Sequence, residues 1–305
     1  MKISVIGGAG FIGCVLLDKL VKEDDEIFVF DNFRKGIKGL KNGILKNKPN
    51  NLYVEYGDIT NPIDIEEHLI YRKPDCIVLL AGVVGLDDCN DNPEETRQIN
   101  VDGWKNIGEI CYDIPVIAAS TGSVYGKLDE VCTESSPTNP CSLYGVTKLE
   151  GEKPILDIGG VILRFATAGG VSPNMRFSLL PNTLTYEAVN YGELSIFQPD
   201  VRRTFIDIRD FANSFIFSIN NYQKMKGEIY NVGDEDNNWT KRQMVEYIKN
   251  KTGCSVTYND DRVDPDLRDY SVNFSKLSKL QFKCEYSVEK MLDNLIDYFE
   301  KEERS

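Results

Sequence analysis

The stretch Lys2 to Leu20, KISVIGGAGFIGCVLLDKL, leaves the chain few folds to choose from. Lys2 to Ile6 is an apolar, β-branched run. Gly7, Gly10 and Gly13 follow at fixed spacing, and Phe11, Ile12, Val15, Leu16, Leu17 and Leu20 then recur with roughly helical period. That predicts strand, tight turn, helix. Glycine at the three positions permits a sharp turn, close approach of a pyrophosphate to the backbone, and closure of the helix on the strand. Free N–H groups at the positive end of the helix dipole would then face a phosphate. Asp31 ends the next apolar run, Glu26 to Phe30, where this fingerprint expects a carboxylate for the adenosine ribose hydroxyls. With both halves present, a dinucleotide site is expected rather than a glycine-rich turn of another α/β protein.

Farther along, Leu52 to Tyr56, Cys76 to Leu80 and Pro115 to Ala119 read as strands, and Asp64 to Tyr71 and Glu94 to Tyr112 as helices. A short helix is expected around Ile37 to Leu45. Alternation at this spacing predicts a doubly wound parallel α/β sheet, with ligands beyond the strand C-termini. From about Gly169 the rhythm changes. Helices are expected at Leu179 to Tyr191, Phe211 to Tyr222, Thr240 (as N-cap) to Lys251 and Val288 to Glu300, with short strands at Leu194 to Phe197, Thr204 to Ile206 and Ile229 to Val232. The expected organisation is a nucleotide-binding domain over 1–168, with part of 203–232 returning to it. Residues 169–305 form a smaller, interleaved C-terminal substrate lobe.

The 305 residues carry a net charge of −13, which argues against general nucleic-acid binding because phosphate neutralisation needs a basic face. An anionic ligand would have to be met locally, by a few placed arginines. A single histidine, His68, excludes His-based triads and multi-His metal sites, and is read as a solvated surface residue; no metal is expected. Eight cysteines without a Cys-x-x-Cys pair point to reduced, mostly buried thiols. No apolar run is long enough to span a membrane, and the start leaves no room for a cleavable signal, so a cytoplasmic protein is expected.

Chemistry concentrates at two places. The strand through Ala119 runs into Ser120-Thr121-Gly122-Ser123-Val124-Tyr125-Gly126, which sets hydroxyls at the crest of the sheet. Tyr144 and Lys148, four apart, share one face if helical. An ammonium beside a phenol favours the phenolate, which ordinarily forms only near pH 10. Bringing that ionisation to neutrality takes about three pKa units, or roughly 4 kcal/mol. A neighbouring ammonium and a cationic nicotinamide in a partly desolvated site are the right kind of groups to supply it.

Taken with GGAGFIG, Asp31-Asn32, Gly57-Asp58-Ile59, LLAG at 79–82, STGSVYG, YGVTK, LRFATAGG, VRRTFIDIRD and DPDLRDY, these motifs identify the chain as similar to the extended short-chain dehydrogenase/reductases of the NAD-dependent sugar-nucleotide epimerase/dehydratase family. The resemblance implies a Rossmann-type fold, NAD as cofactor, a nucleotide-sugar substrate and a homodimer. It assigns Tyr144 as general base or acid on a sugar hydroxyl, Thr121 as its hydrogen-bonding partner with Ser120 or Ser123 assisting, and Lys148 to the nicotinamide ribose and to tuning Tyr144. Gly7, Gly10, Phe11, Ile12, Asp31, Asn32, Asp58, Ile59, Ala81 and Gly82 would contact NAD, with Asp31 repelling a 2′-phosphate, although Arg34 and Lys35 lie nearby. Ser123, Asn182, Arg203 and Arg268 would contact the substrate, the arginines on its diphosphate, with Arg176 a further pocket residue. Ion pairing of either arginine with Asp210, Asp266 or Asp269 is the alternative.

Departures from the family pattern narrow the reaction. Gly122 and Ser123 stand where family dehydratases carry an acid, so dehydration is not expected. Arg164-Phe165-Ala166-Thr167 replaces the Arg-x-Phe-Asn of many 4-epimerases, and the closest-looking members act on nucleotide-linked hexoses or heptoses. Pro154 is expected to cut short the helix bearing Tyr144, a helix that usually serves the family's dimer interface. Epimerisation at C4 through a 4-keto intermediate is the leading expectation, with a 4-dehydrogenase or 4-keto-reductase as the alternative. A non-catalytic NAD sensor typically loses the Tyr-Lys pair, and a small-hydroxy-compound dehydrogenase has no use for the two arginines.

Overall fold

The computed structural model describes residues 1–22, 24–47, 49–128, 130–259 and 271–303. In the first half, strands β1 (Lys2–Ile6), β2 (Glu26–Asp31), β3 (Leu52–Tyr56), β4 (Cys76–Leu79), β5 (Val116–Thr121) and β6 (Val161–Phe165) alternate with helices α1 (Phe11–Leu20), α2 (Lys38–Asn42), α3 (Pro62–Arg72), α4 (Leu86–Asp91), α5 (Pro93–Arg97), α6 (Trp104–Ile110) and α7 (Leu143–Asp157). The second half carries β7 (Thr167–Gly169), α8 (Leu180–Tyr191), β8 (Glu193–Ile196), β9 (Arg202–Asp207), α9 (Ile208–Asn220), α10 (Tyr222–Met225), β10 (Ile229–Val232), β11 (Asn238–Thr240), α11 (Lys241–Thr252), β12 (Ser255–Tyr258), α12 (Ser275–Ser278) and α13 (Val288–Glu303).

Seven strands form one parallel sheet in the order β10-β6-β5-β4-β1-β2-β3. This is the doubly wound, Rossmann-type α/β arrangement expected from the alternating pattern. Its inner strands β4, β5 and β6 are buried on both faces because helices cover both, whereas the edge strand β3 is partly exposed. One buried cluster joins β1 and β2 to α1 and α9, and a second joins β4 and β5 to α6 and α7. A third cluster, built from α8, α11 and α13 with Leu194 and Phe205, lies in the second half. Chain order reverses direction across β1 and β4, so the crevice between their C-terminal ends is where such a sheet binds ligands.

Three expectations need correction. His68 is not solvated. It lies on the inward face of α3 with Ile65, 4% exposed, donating through Nδ1 to Glu55 and accepting at Nε2 from the Ser4 hydroxyl at 2.6 Å. Pro154 does not end α7, which runs on to Asp157. Its missing N–H would have closed on the carbonyl of Glu150, an exposed residue that solvent can serve, while Ile155 beside it is fully buried and holds the last turn in place. The single helix expected over Glu94 to Tyr112 is three pieces, α5 and α6 joined by π-helical turns at Gln98–Gly103. Within those turns Asn100 is locked by both backbone groups of Val83 and by the Thr147 hydroxyl.

Candidate active site

The glycine loop lies between β1 and α1 at the centre of the sheet edge. Gly7 adopts φ +81°, and a Cβ there would meet the Ala81 backbone at 2.5 Å. Gly13 touches Gly8 so closely that a Cβ would sit 2.3 Å from its carbonyl oxygen, which draws α1 onto the loop. At Gly10, by contrast, a Cβ would meet only the Gly7 carbonyl at 3.4 Å, so the space in front of the helix is open. Helix α1 begins there with no side-chain cap and no acid in its first turn. Its leading N–H groups and dipole are therefore available to an anion, which is what a dinucleotide diphosphate requires. The segment after β7 fastens back on this loop: Ser172 Oγ donates to the Phe11 carbonyl at 2.7 Å and Asn174 Nδ2 to the Ala9 carbonyl at 2.8 Å.

At the far end of the cleft, Asp31 closes β2 and accepts from the backbone N–H groups of Ala9 (2.9 Å) and Phe33 (2.7 Å). Burial pushes its carboxyl up, against those two bonds, and nearby Asp58 adds to the rise. Burial acts on Asp58 in the same sense but is outweighed by hydrogen bonds from Asn32 Nδ2 and from Thr60, which hold it below the usual range. Ile59 is buried beside it, its carbonyl held by Asn106. Asp31, Asn32, Asp58 and Ile59 thus meet at one corner, as their motifs imply. Arg34 does not turn toward that corner. Its guanidinium is engaged by Asp88 and Glu95, and Lys35 also pairs with Asp88.

Thr121 is the last residue of β5, and its hydroxyl caps the following 3-10 turn, Gly122–Tyr125, by accepting from the Ser123 N–H. Thr121 Oγ1 and Ser123 Oγ share a hydrogen bond of 2.9 Å. Helix α7 starts from the Ser142 cap and brings Gly145 against the Ser123 carbonyl, so Tyr144 and Lys148 rise beside this turn. Lys148 is 2% exposed, and its ammonium lies 3.7 Å from the Trp104 ring centroid. Burial pulls its pKa from 10.5 to about 7, with Glu152 and Cys89 opposing. Trp104 in turn is fixed by its Nε1 bond to the Ala81 carbonyl. Of the two candidate serines, Ser123 faces Thr121, whereas Ser120 donates to Glu152.

Glu152 went unnoticed in the sequence. One turn beyond Lys148 it is completely enclosed, bound bidentately by Arg164 of β6 at 2.9 and 2.6 Å, so that α7, β5 and β6 are tied together directly behind the hydroxyl crest. Its signal was the spacing 144-148-152, a stripe pointing inward rather than outward.

On the substrate side, Arg203 and Arg164 line a cleft of about 460 Å³, counting its open mouth, that also includes Thr121, Gly122 and Thr167. Arg176 donates to the Val84 carbonyl and to Ser178; burial lowers its pKa, and the charges of Tyr144 and Asp88 oppose the drop. That places a guanidinium near the phenol. Asn182 is fully buried, clamping both backbone groups of Gly170 and the carbonyl of Arg176. Asp210 accepts from the backbone of Glu285 and Tyr286. Arg268, Asp266 and Asp269 lie outside the described residues. Among the described residues no cluster of three or more His, Cys, Asp or Glu could hold a metal, and no helix is long and apolar enough to cross a membrane.

Known proteins share this fold over most or all of the chain. A UDP-glucose 4-epimerase of Lactobacillus helveticus is 25% identical, the alignment covering 85% of this chain and 84% of that protein. UDP-glucuronic acid 4-epimerase of Bacillus cereus, solved with UDP-glucuronic acid and NAD, superposes with a TM-score of 0.87 at 26% identity over 99% of each chain. The NAD complex of dTDP-glucose 4,6-dehydratase from Bacillus anthracis shares the fold, with a TM-score of 0.84 at 24% identity over 100% of this chain and 98% of that one. Residues 3–233 match the NAD dependent epimerase/dehydratase family. With that match over most of its length, and the same fold in the structures just described, the chain belongs to the NAD-dependent epimerase/dehydratase family.

Proposed function

We propose that the protein epimerises a nucleoside-diphosphate sugar at C4 through a 4-keto intermediate. The observation that carries this is the crest itself: Thr121 and Ser123 hydrogen-bonded to each other beside Tyr144 and a desolvated Lys148, with glycine and serine, not an acid, following the threonine. NAD, when bound, supplies reversible hydride exchange with C4. Tyr144 takes the proton from the C4 hydroxyl and later returns it, and Thr121 Oγ1 holds that oxygen in line. Lys148 holds the nicotinamide ribose and favours the phenolate through its charge. The glycine loop and the leading N–H groups of α1 hold the dinucleotide diphosphate, with Asp31, Asn32, Asp58 and Ile59 at the adenosine and Ala81 and Gly82 along the central edge. Arg203, with Asn182 shaping the adjacent loop and Arg268, receives the substrate diphosphate. An acid placed to strip a proton from C5 is what a dehydratase needs, and the Gly122-Ser123 pair does not offer one.

UDP-sugars are the first substrates to try, since the Bacillus cereus neighbour holds UDP-glucuronic acid. A homodimer, a cytoplasmic location and a lobe boundary near residue 169 belong to the same reading. Incubation with NDP-hexoses and hexuronates in deuterated solvent should give C4-inverted product without solvent deuterium at C4, and Tyr144→Phe should lower kcat by roughly 10²–10⁴-fold. A stable 4-keto product with accumulating reduced cofactor would instead make the protein a dehydrogenase.

A further inference from the structure

The adenosine corner carries a feature that the reaction does not use. Arg34 and Lys35 follow Asp31 by three and four residues, at the place where a 2′-phosphate on the adenosine ribose would seek cations. Phe33 stands at φ +54°, its N–H held by Asp31 and that of Arg34 by Asn32 Oδ1 at 3.0 Å, so the turn aims the Arg34 side chain at the segment after β4. There Asp88 on α4 and Glu95 on α5 grip it from two sides. Glu95 accepts from Nε at 2.9 Å and Nη2 at 2.6 Å; Asp88 accepts from Nη1 and Nη2, both at 3.1 Å. Four of the five guanidinium N–H donors are occupied. Lys35 Nζ lies 2.8 Å from the same Asp88. The Arg34 guanidinium, followed by burial acting against it and by Lys35, leaves the Asp88 carboxyl at about 2.

We infer that Asp88 and Glu95 are specificity-determining residues for the cofactor: by holding Arg34 and Lys35 they withhold the only cations within the turn from a 2′-phosphate, adding a second layer of discrimination for NAD over NADP beyond Asp31. The inference rests on reading Asp31 as the adenosine ribose ligand. Removing Asp31 alone leaves a 2′-phosphate facing neutralised cations, whereas removing the two guards as well releases a bidentate guanidinium suited to phosphate.

Isothermal titration of the full chain with NAD and with NADP tests this in Asp31→Asn, Asp88→Asn/Glu95→Gln and the triple variant. The triple variant should bind NADP about tenfold or more tighter than Asp31→Asn does, and adding Arg34→Ala should abolish that gain. A triple variant no better than Asp31→Asn overturns the proposal. If Asp31→Asn leaves both affinities as in the wild type, the reading of Asp31 fails instead. Arg34→Ala/Lys35→Ala guards against loss of folding in the others: it keeps both carboxylates and should leave wild-type NADP affinity within about twofold. A tenfold fall there would mean that the cations already serve the ligand, and would equally overturn the proposal.

Discussion

Lys148 is a cation placed where water cannot reach it, over the face of Trp104. With its folded pKa at about 7 and its ordinary value at 10.5, the unfolded chain holds a proton between those limits that the folded chain does not. Stability therefore rises with pH across that window, and at or below its lower end the penalty for burying the charge is complete. Lys148→Met should flatten this slope. Thermal unfolding of the two proteins at about pH 7 and pH 9.5 checks it, and parallel shifts would show that the buried ammonium is not the cause. At and below about pH 7, where Lys148 is protonated, the same burial suits the proposed chemistry, because a charge with little solvent screening acts strongly on the neighbouring phenol. Glu152 is the main charge opposing the fall in the Lys148 pKa, and it is held in place by Arg164 and Ser120.

Helix α3 gives the second titration. His68 has its pKa lowered by burial, with Glu55 opposing and Arg72 reinforcing the drop. The imidazole is neutral when folded and must charge on unfolding in mild acid, so its contribution falls as pH drops below about 6.5. His68→Gln, which can keep one hydrogen bond, should lose part of the wild type's decline in melting temperature between about pH 7 and pH 5. An unchanged decline would point to other groups. This residue also marks the limit of what was legible. The strand-turn-helix at the N-terminus, the strand alternation and the Thr240 N-cap could be read because their signals are local: glycine spacing, apolar runs, a hydroxyl ahead of a helical run. His68 and the π-helical turns were misjudged because their partners are remote, and Pro154 because the burial of Ile155 beside it is set by the fold. Ser4 lies 64 residues from His68, and Asn100 reaches Val83 and Thr147 from opposite directions. Within the proposed site, Thr121, Tyr144 and Lys148 could be picked out from local motifs, while the partners of Glu152, Asp88 and Glu95 are set by the fold: Glu152 meets Arg164 of β6, and Asp88 and Glu95 meet Arg34 from more than fifty residues away.

Across the whole molecule, the second half completes the first. Strand β10 adds the seventh strand beside β6, where Asn231 accepts from Tyr125 at 2.7 Å. Ser172 and Asn174, 161 and 165 residues from their acceptors, pin the carbonyls of the glycine loop. Ser172→Ala/Asn174→Ala should therefore speed dissociation of NAD, by about thirtyfold if each of the two bonds stabilises the closed loop by about 1 kcal/mol, with a smaller effect on the chemical step. Stopped-flow displacement of bound NAD measures it, and an unaltered off-rate would separate the strap from cofactor retention.

That strap also orders events during synthesis. When β6 leaves the ribosome, every strand from β1 to β6 exists, yet the residues that fasten the glycine loop have not emerged and the strand that closes the sheet edge is still unmade. The nascent nucleotide half must wait, with its cleft unbraced, for a further stretch of chain that begins at Ser172 and ends at Val232. The braced form of the nucleotide half is thus a product of both halves of the chain, reached only once the stretch through Val232 has folded back onto it.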